Sequence, residues 1–164
     1  MPELILIAHN LRSTHNVGSL LRTAEGLGVN KVYLTGYTPY PGIKNDERLP
    51  HISAKLTRQI KKTALGAETT QSWEHRSEIE GLLQDLKQQG YTVAALEQTE
   101  TALKLPDYKP ADKLAIIVGR EVEGIEPEVL DITDLQIAIP MFGSKESFNV
   151  VQAAAMALYH CRFA

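Results

Sequence analysis

The chain has 164 residues, 43% of them hydrophobic, which is enough to bury a core without crosslinks, and no internal repeat or low-complexity tract divides it, so a single domain over 1–164 is expected. One cysteine, Cys161, excludes a disulfide framework and reads as a small buried hydrophobe; the start Met1-Pro2-Glu3-Leu4 lacks a signal-peptide pattern, no apolar run approaches the ~20 residues of a membrane span, and a cytoplasmic protein is expected. The net charge of −3 hides an asymmetry: residues 1–66 hold nine basic and four acidic side chains, residues 67–164 eight and sixteen, so a basic face can exist on an acidic protein.

Leu4 to Ala8 reads as a buried strand. A helix follows, with Asn16 as its N-cap, Val17, Leu20, Leu21, Ala24 and Leu27 at helical spacing, and an end near Gly28. Lys31 to Thr35 is the next strand, and residues 36–54, with Pro39, Pro41, Gly42, Asn45, Asp46 and Pro50, form a turn-rich loop long enough for a lid or a substrate contact. Helices are expected over 54–62 and 77–89, the second stopped by Gly90 and followed by the strand 91–96. Strands 114–118 and 135–139 come next, and a helix over 147–160 opened by Ser147 closes the order. Strands alternating with crossover helices predict an α/β fold with a largely parallel sheet and helices on both faces.

Two loops leave the carboxyl ends of the last two strands: Gly119-Arg120-Glu121-Val122-Glu123-Gly124, and Ile139-Pro140-Met141-Phe142-Gly143-Ser144-Lys145-Glu146-Ser147-Phe148-Asn149. In open α/β sheets that edge is where ligands bind. Their glycines permit close backbone approach, and the first amides of the following helix are free donors, which suits a small polar cofactor held by main chain. The last helix, with Phe148, Val150, Val151, Ala153 to Tyr159, has almost no polar face. Such a helix is buried all round, either inside one chain or against a second copy.

Together with Asn10-Leu11-Arg12-Ser13-Thr14-His15-Asn16-Val17-Gly18-Ser19-Leu20-Leu21-Arg22-Thr23-Ala24, these loops resemble, in order and spacing, the three motifs of the SpoU/TrmH family of RNA ribose 2′-O-methyltransferases in the SPOUT class, from about residue 4 to residue 160. The resemblance implies a deep C-terminal trefoil knot, S-adenosyl-L-methionine as cofactor, a tRNA or rRNA substrate, and a homodimer through the C-terminal helix with the active site close to the interface. It implies cofactor contacts, largely through backbone, at Leu96, Gly119, Gly124, Ile139, Met141, Ser147 and Phe148. Catalytic roles fall on Arg22, Asn16, Glu121, Ser147 and Asn149, and RNA contacts on Arg12, Arg22, Lys44 and Arg48. A single domain without the extra N-terminal RNA-binding domain some relatives carry is expected, and Val150-Val151 stands where many have Val-Ser after the asparagine.

Bland readings stand beside these. Asn16 and Ser147 serve as helix caps, Glu121 as a solvated loop acid, and Arg22 as an exposed helix arginine. A free guanidinium is a poor base, so a role for Arg22 in binding a substrate phosphate and stabilising a developing alkoxide is preferred to general-base action. The five histidines and Cys161 show no metal-ligand spacing, and no G-x-G-x-x-G follows the first strand, so neither a metal nor a nicotinamide cofactor is expected. Two other functions remain open: a catalytically silent RNA-binding or assembly factor on the same fold, and a small-molecule or nucleotide-binding α/β enzyme.

Overall fold

The computed structural model describes residues 1–164. Seven strands, β1 (Glu3–His9), β2 (Lys31–Thr35), β3 (Trp73–Arg76), β4 (Thr92–Leu96), β5 (Leu103–Lys104), β6 (Lys113–Val118) and β7 (Leu135–Ala138), form one sheet in the order β3-β2-β1-β6-β4-β7-β5. Every neighbouring pair is parallel. Helices are α1 (Thr14–Gly26), α2 (Pro50–Ala64), α3 (Ala67–Thr70), α4 (Ile79–Gln88), α5 (Pro127–Leu130) and α6 (Val150–Phe163), with a short 3-10 turn at Leu105–Asp107.

Central β1 and β6 are continuous apolar runs because both their faces are covered. Leu4, Leu6, Leu114 and Ile116 point into a core of 26 buried residues shared with α1, α2 and α6. Ile5, Ile7, Ala115 and Ile117 point the other way, into a smaller core of 13 with α4 and Val129 of α5. The larger side is held close by Gly18 of α1, where an added Cβ would run into the Ile60 carbonyl oxygen and Thr63 Oγ1 of α2. At the end of α6 the buried Arg162 donates from Nε, Nη1 and Nη2 to the carbonyls of Leu27, Pro2 and Gly28 at 3.0, 2.7 and 2.6 Å.

Several local expectations need correction. Ser13, in extended backbone, is the N-cap of α1, and its Oγ accepts from the Asn16 amide at 3.1 Å; Asn16 lies inside the first turn. Likewise α6 begins at Val150 with Asn149 as its cap, Oδ1 accepting from Val151 N at 2.9 Å, so Ser147 stands in the preceding loop. Helix α2 starts at Pro50, where a proline fits the first helical turn, and the turn-rich loop shrinks to 36–49. Strands β3 and β5 and helices α3 and α5 were not foreseen. Finally, α6 is not covered all round in the single chain: Ala154, Ala157, Leu158 and Cys161 are buried, whereas Tyr159 and Phe163 are 60% and 66% exposed.

Candidate active site

The carboxyl ends of β4, β6 and β7 and the loops leaving them enclose a cleft of about 250 Å3. Its apolar wall is Leu96, Val118, Ile139, Phe148, Val150 and Ala153, and its rim is the backbone of Gly119 to Gly124. Four carboxylates line it, from Glu97, Glu121, Glu123 and Glu146, against a single cation, Arg120. Gly124 sits at φ 75 with Glu97 directly over its α-carbon, a conformation and a spacing that only glycine tolerates. Glu97 is thereby fixed: Oε2 accepts from Ile125 N at 2.8 Å and Oε1 from Gln98 N at 3.0 Å.

Glu121 reaches out of this loop to the start of α1. Its carboxylate accepts from the amides of Arg12 (3.3 Å) and Ser13 (3.2 Å) and from Asn16 Nδ2 (3.4 Å). An anion at the amino end of a helix is favoured by the free amides and the helix dipole there, so this carboxylate fastens the first motif to the second. Arg12 Nη2 adds an exposed ion pair to Glu123 Oε1 at 3.1 Å.

A second tie runs underneath. Arg120 Nε donates to the Gly124 carbonyl at 2.9 Å and forms an ion pair with Glu126 Oε1 at 2.9 Å, Oε1 accepts from Asn10 Nδ2 at 3.4 Å, and Oε2 lies 3.0 Å from His9 Nε2. Oε2 is buried without a hydrogen-bond partner of good geometry and His9 Nε2 is the one nitrogen in reach, so the proton of His9 is assigned to Nε2. The other ring nitrogen, 2.8 Å from Thr35 Oγ1, then accepts that hydroxyl's proton, while the Ala8 carbonyl takes its shorter bond from Thr38 Oγ1 at 2.9 Å. Burial lowers the pKa of His9 despite the pull of Glu126, so the pair is a neutral imidazole beside a carboxylate rather than an ion pair. No sequence pattern pointed to His9, Glu97 or Glu126; their roles depend on contacts between segments 28 to 117 residues apart.

Of the residues assigned to the cofactor, Leu96, Gly119, Gly124, Ile139, Ser147 and Phe148 all line the cleft. Met141 does not; it borders an adjoining depression with Phe142, Lys145 and Asn149, which shares Ser147 and Phe148 with the cleft. Asn16 and Glu121 are brought together, and Ser147 joins the same cleft. Arg22 is elsewhere: it is exposed on α1 and lines a shallow groove with Ser19, Thr23 and Thr63. Lys44 is exposed on the loop before α2, and Arg48 there is committed internally, donating to Asp46, the Tyr40 carbonyl and the Pro41 carbonyl. No group of three or more potential metal-ligating side chains occurs, and no helix is long and apolar enough to cross a membrane.

A parallel α/β sheet with a backbone-rimmed cleft at its carboxyl edge defines a small-ligand-binding α/β protein. The SpoU rRNA Methylase family matches residues 3–159, and the chain belongs to that family. It is 26% identical over 163 residues to a tRNA (guanosine(18)-2′-O)-methyltransferase of Aquifex aeolicus (strain VF5), covering 98% of this chain and 69% of that protein. The crystal structure of the A. aeolicus TrmH/SpoU tRNA modifying enzyme superposes with a TM-score of 0.80 at 23% identity, covering 99% of this chain and 75% of the other. An AdoMet-bound rRNA methyltransferase from Sinorhizobium meliloti superposes with a TM-score of 0.78 at 19% identity, covering 98% and 56%. The chain spans between 56% and 69% of the length of the curated relatives it matches.

Proposed function

We propose that this chain is an RNA methyltransferase that moves the methyl group of S-adenosylmethionine to a ribose 2′-hydroxyl of tRNA or rRNA in the cytoplasm. The observation that carries the reading is the meeting of three distant segments at one cleft: Asn16 bonded to Glu121, and Ser147 and Phe148 closing the wall opposite Gly119. Family membership and the activities of the A. aeolicus and S. meliloti proteins agree with it. The cleft also fits the cofactor chemically, since an apolar slot with main-chain donors suits adenine and a rim with four carboxylates suits a sulfonium cation.

When bound, S-adenosylmethionine supplies an electrophilic methyl group. The chain supplies alignment. Glu121 holds the start of α1 at the mouth of the cleft, which puts Asn16 beside the incoming ribose, and Ser147 offers a hydroxyl from the opposite rim. Asn149 fixes the beginning of α6 and, with Met141, orders the loop that covers the cofactor. Lys44, and Arg12 through the guanidinium nitrogens that its pair with Glu123 leaves over, face the RNA, whereas Arg48 shapes its own loop.

Arg22 stands outside the cleft of its own chain, and α6 leaves Tyr159 and Phe163 uncovered. Both facts fit a homodimer packed through α6 in which Arg22 serves the partner's cleft, binding a substrate phosphate and stabilising the developing alkoxide. The same reading includes the C-terminal trefoil knot, favoured by the way β6 inserts between β1 and β4, and β7 between β4 and β5.

Calorimetry in chelator tests the cofactor, and single-turnover methyl transfer to RNA tests the reaction. Arg22→Ala is expected to bind S-adenosylmethionine as the native chain does while turnover falls about 10²–10³-fold. Mixing it with Asn149→Ala protein restores part of the activity if the two residues act across the dimer. Wild-type turnover by Arg22→Ala removes this residue from the mechanism, and failure to bind the cofactor removes the enzyme reading altogether.

A further inference from the structure

Beside the cleft runs a second concavity of about 680 Å3, between the loop after β2 and the amino-terminal parts of α1 and α2. It shares no lining residue with the cleft, yet Arg12 and Ser13 border it, and their amides hold Glu121. Three flat groups are stacked at one side. The rings of Tyr40 and His75 lie 3.9 Å apart at 18°, and the Arg48 guanidinium lies 3.5 Å from the Tyr40 centroid on the same ring. His75 Nε2 is 3.1 Å from the Gly36 carbonyl, and Arg48 is locked by Asp46 and two carbonyls, so the stack is rigid.

The chemistry of the groove argues against a phosphate site. Arg48 has spent its donors inside the chain and Arg12 is paired with Glu123, so neither is free to grip an anion with its full fork. Aromatic faces and uncommitted neutral hydrogen-bonding groups remain. Tyr37 is 53% exposed beside Arg12, the Gln59 amide and the Tyr40 hydroxyl have no partner in the chain, and no carboxylate lines the groove. Flat faces for stacking plus an amide that both donates and accepts are what an unstacked nucleobase requires.

We propose that this groove receives an unstacked base of the substrate RNA adjacent to the nucleotide whose ribose enters the cleft, with Tyr37 as the stacking face and Gln59 reading the base edge. The proposal rests on the methyltransferase reading for the identity of the RNA strand. Its location supplies the adjacency, because the residues that border the groove are the ones whose amides fix Glu121 at the cleft.

The test is retention of unmodified transcripts of the host's tRNAs and of fragments of its rRNA on filters, followed by single-turnover methyl transfer with the RNA that is retained. Tyr37→Ala should weaken RNA binding roughly 5- to 100-fold, with cofactor affinity unchanged, and Tyr37→Phe should bind as the native chain does because the ring is kept. Gln59→Ala should lose less affinity, and photo-crosslinking to 4-thiouridine-substituted RNA should mark the peptides carrying Tyr37 and Gln59. Native affinity in Tyr37→Ala, an equal loss in Tyr37→Phe, or no retention of either RNA by the native chain overturns the proposal. Loss of RNA binding in Tyr37→Ala by a protein that transfers no methyl group would keep the groove and overturn the enzyme reading instead.

Discussion

The loops 119–126 and 140–149 both emerge from the carboxyl edge of the sheet, and they are built in opposite ways. The first is tied at every few residues: Glu121 to the start of α1, Arg120 and Glu126 to each other, Glu126 to His9 and Asn10, Ile125 to Glu97, and Arg120 to Gly124 through a backbone bridge. The second has most of its residues exposed, Phe142 fully so, and a single internal anchor where Asn149 caps α6. A wall that must present backbone in one geometry is fixed by the chain itself. A wall that is not tied down in this way leaves apolar surface uncovered, and fully exposed Phe142 is the largest such side chain on the second loop.

The contrast can be broken most strongly at Glu126. Glu126→Ala strands the His9 Nε2 proton and removes the carboxylate from Arg120, and it should cost about 2–3 kcal/mol of stability, read as a lower urea midpoint. A loss below about 0.5 kcal/mol would mean the first loop is not fastened as described. Next is Asn149→Ala, which removes the only anchor of the second loop and should cost about 1 kcal/mol, with Asn149→Ser recovering most of it because serine also caps. Equal stability in the alanine and serine variants would show that the cap contributes nothing.

A smaller effect is tied to pH. His9 has a native pKa below its ordinary value near 6.5, so between those two values the unfolded chain binds a proton that the native chain refuses. Stability should therefore rise with pH through that window, be fully present above about 6.5, and decline on acidification below it. Thermal unfolding scanned against pH should show this slope in the native chain and a flatter one in His9→Gln. The smallest effect is expected at Phe142→Ser, which should leave the unfolding midpoint of the isolated chain within about 0.5 kcal/mol. A larger loss would show that the second loop is already packed.

Much of the fold could be read from the chain because its central strands carry their own signal. The runs 114–118 and 4–8 are apolar without interruption, and a strand covered on both faces must be so. β3, Trp-Glu-His-Arg, was invisible for the converse reason: it is a half-buried edge strand whose polar side chains form the Lys31–Glu74 and Arg76–Asp85 pairs. The caps were misjudged by two or three positions, since Ser13 and Asn16, like Ser147 and Asn149, are equally good capping types, and only backbone geometry chooses between them. At the site, the motif loops whose residues line the cleft were readable in the chain, but the packing reason for Gly119 was not. An added Cβ there would press on Ile125 Cγ1 at 2.5 Å and Ile125 N at 2.9 Å, so the glycine answers to the loop's own packing, and Gly119→Val is a poor probe of ligand binding alone. Met141 borders a depression that adjoins the cleft through Ser147 and Phe148, and Arg48 donates within its own loop; neither placement could be read from the motifs.

The Arg162 guanidinium has a consequence for how the chain is made. It holds Pro2, Leu27 and Gly28 by their carbonyls, so one of its bonds spans 160 residues of sequence. While the ribosome is still adding α6, the edge of β1 and the turn after α1 lack three of their hydrogen-bond donors, and the contact that completes them has the largest loop to close. The strand β1 is thus finished only once α6 has been added, 160 residues further along the chain.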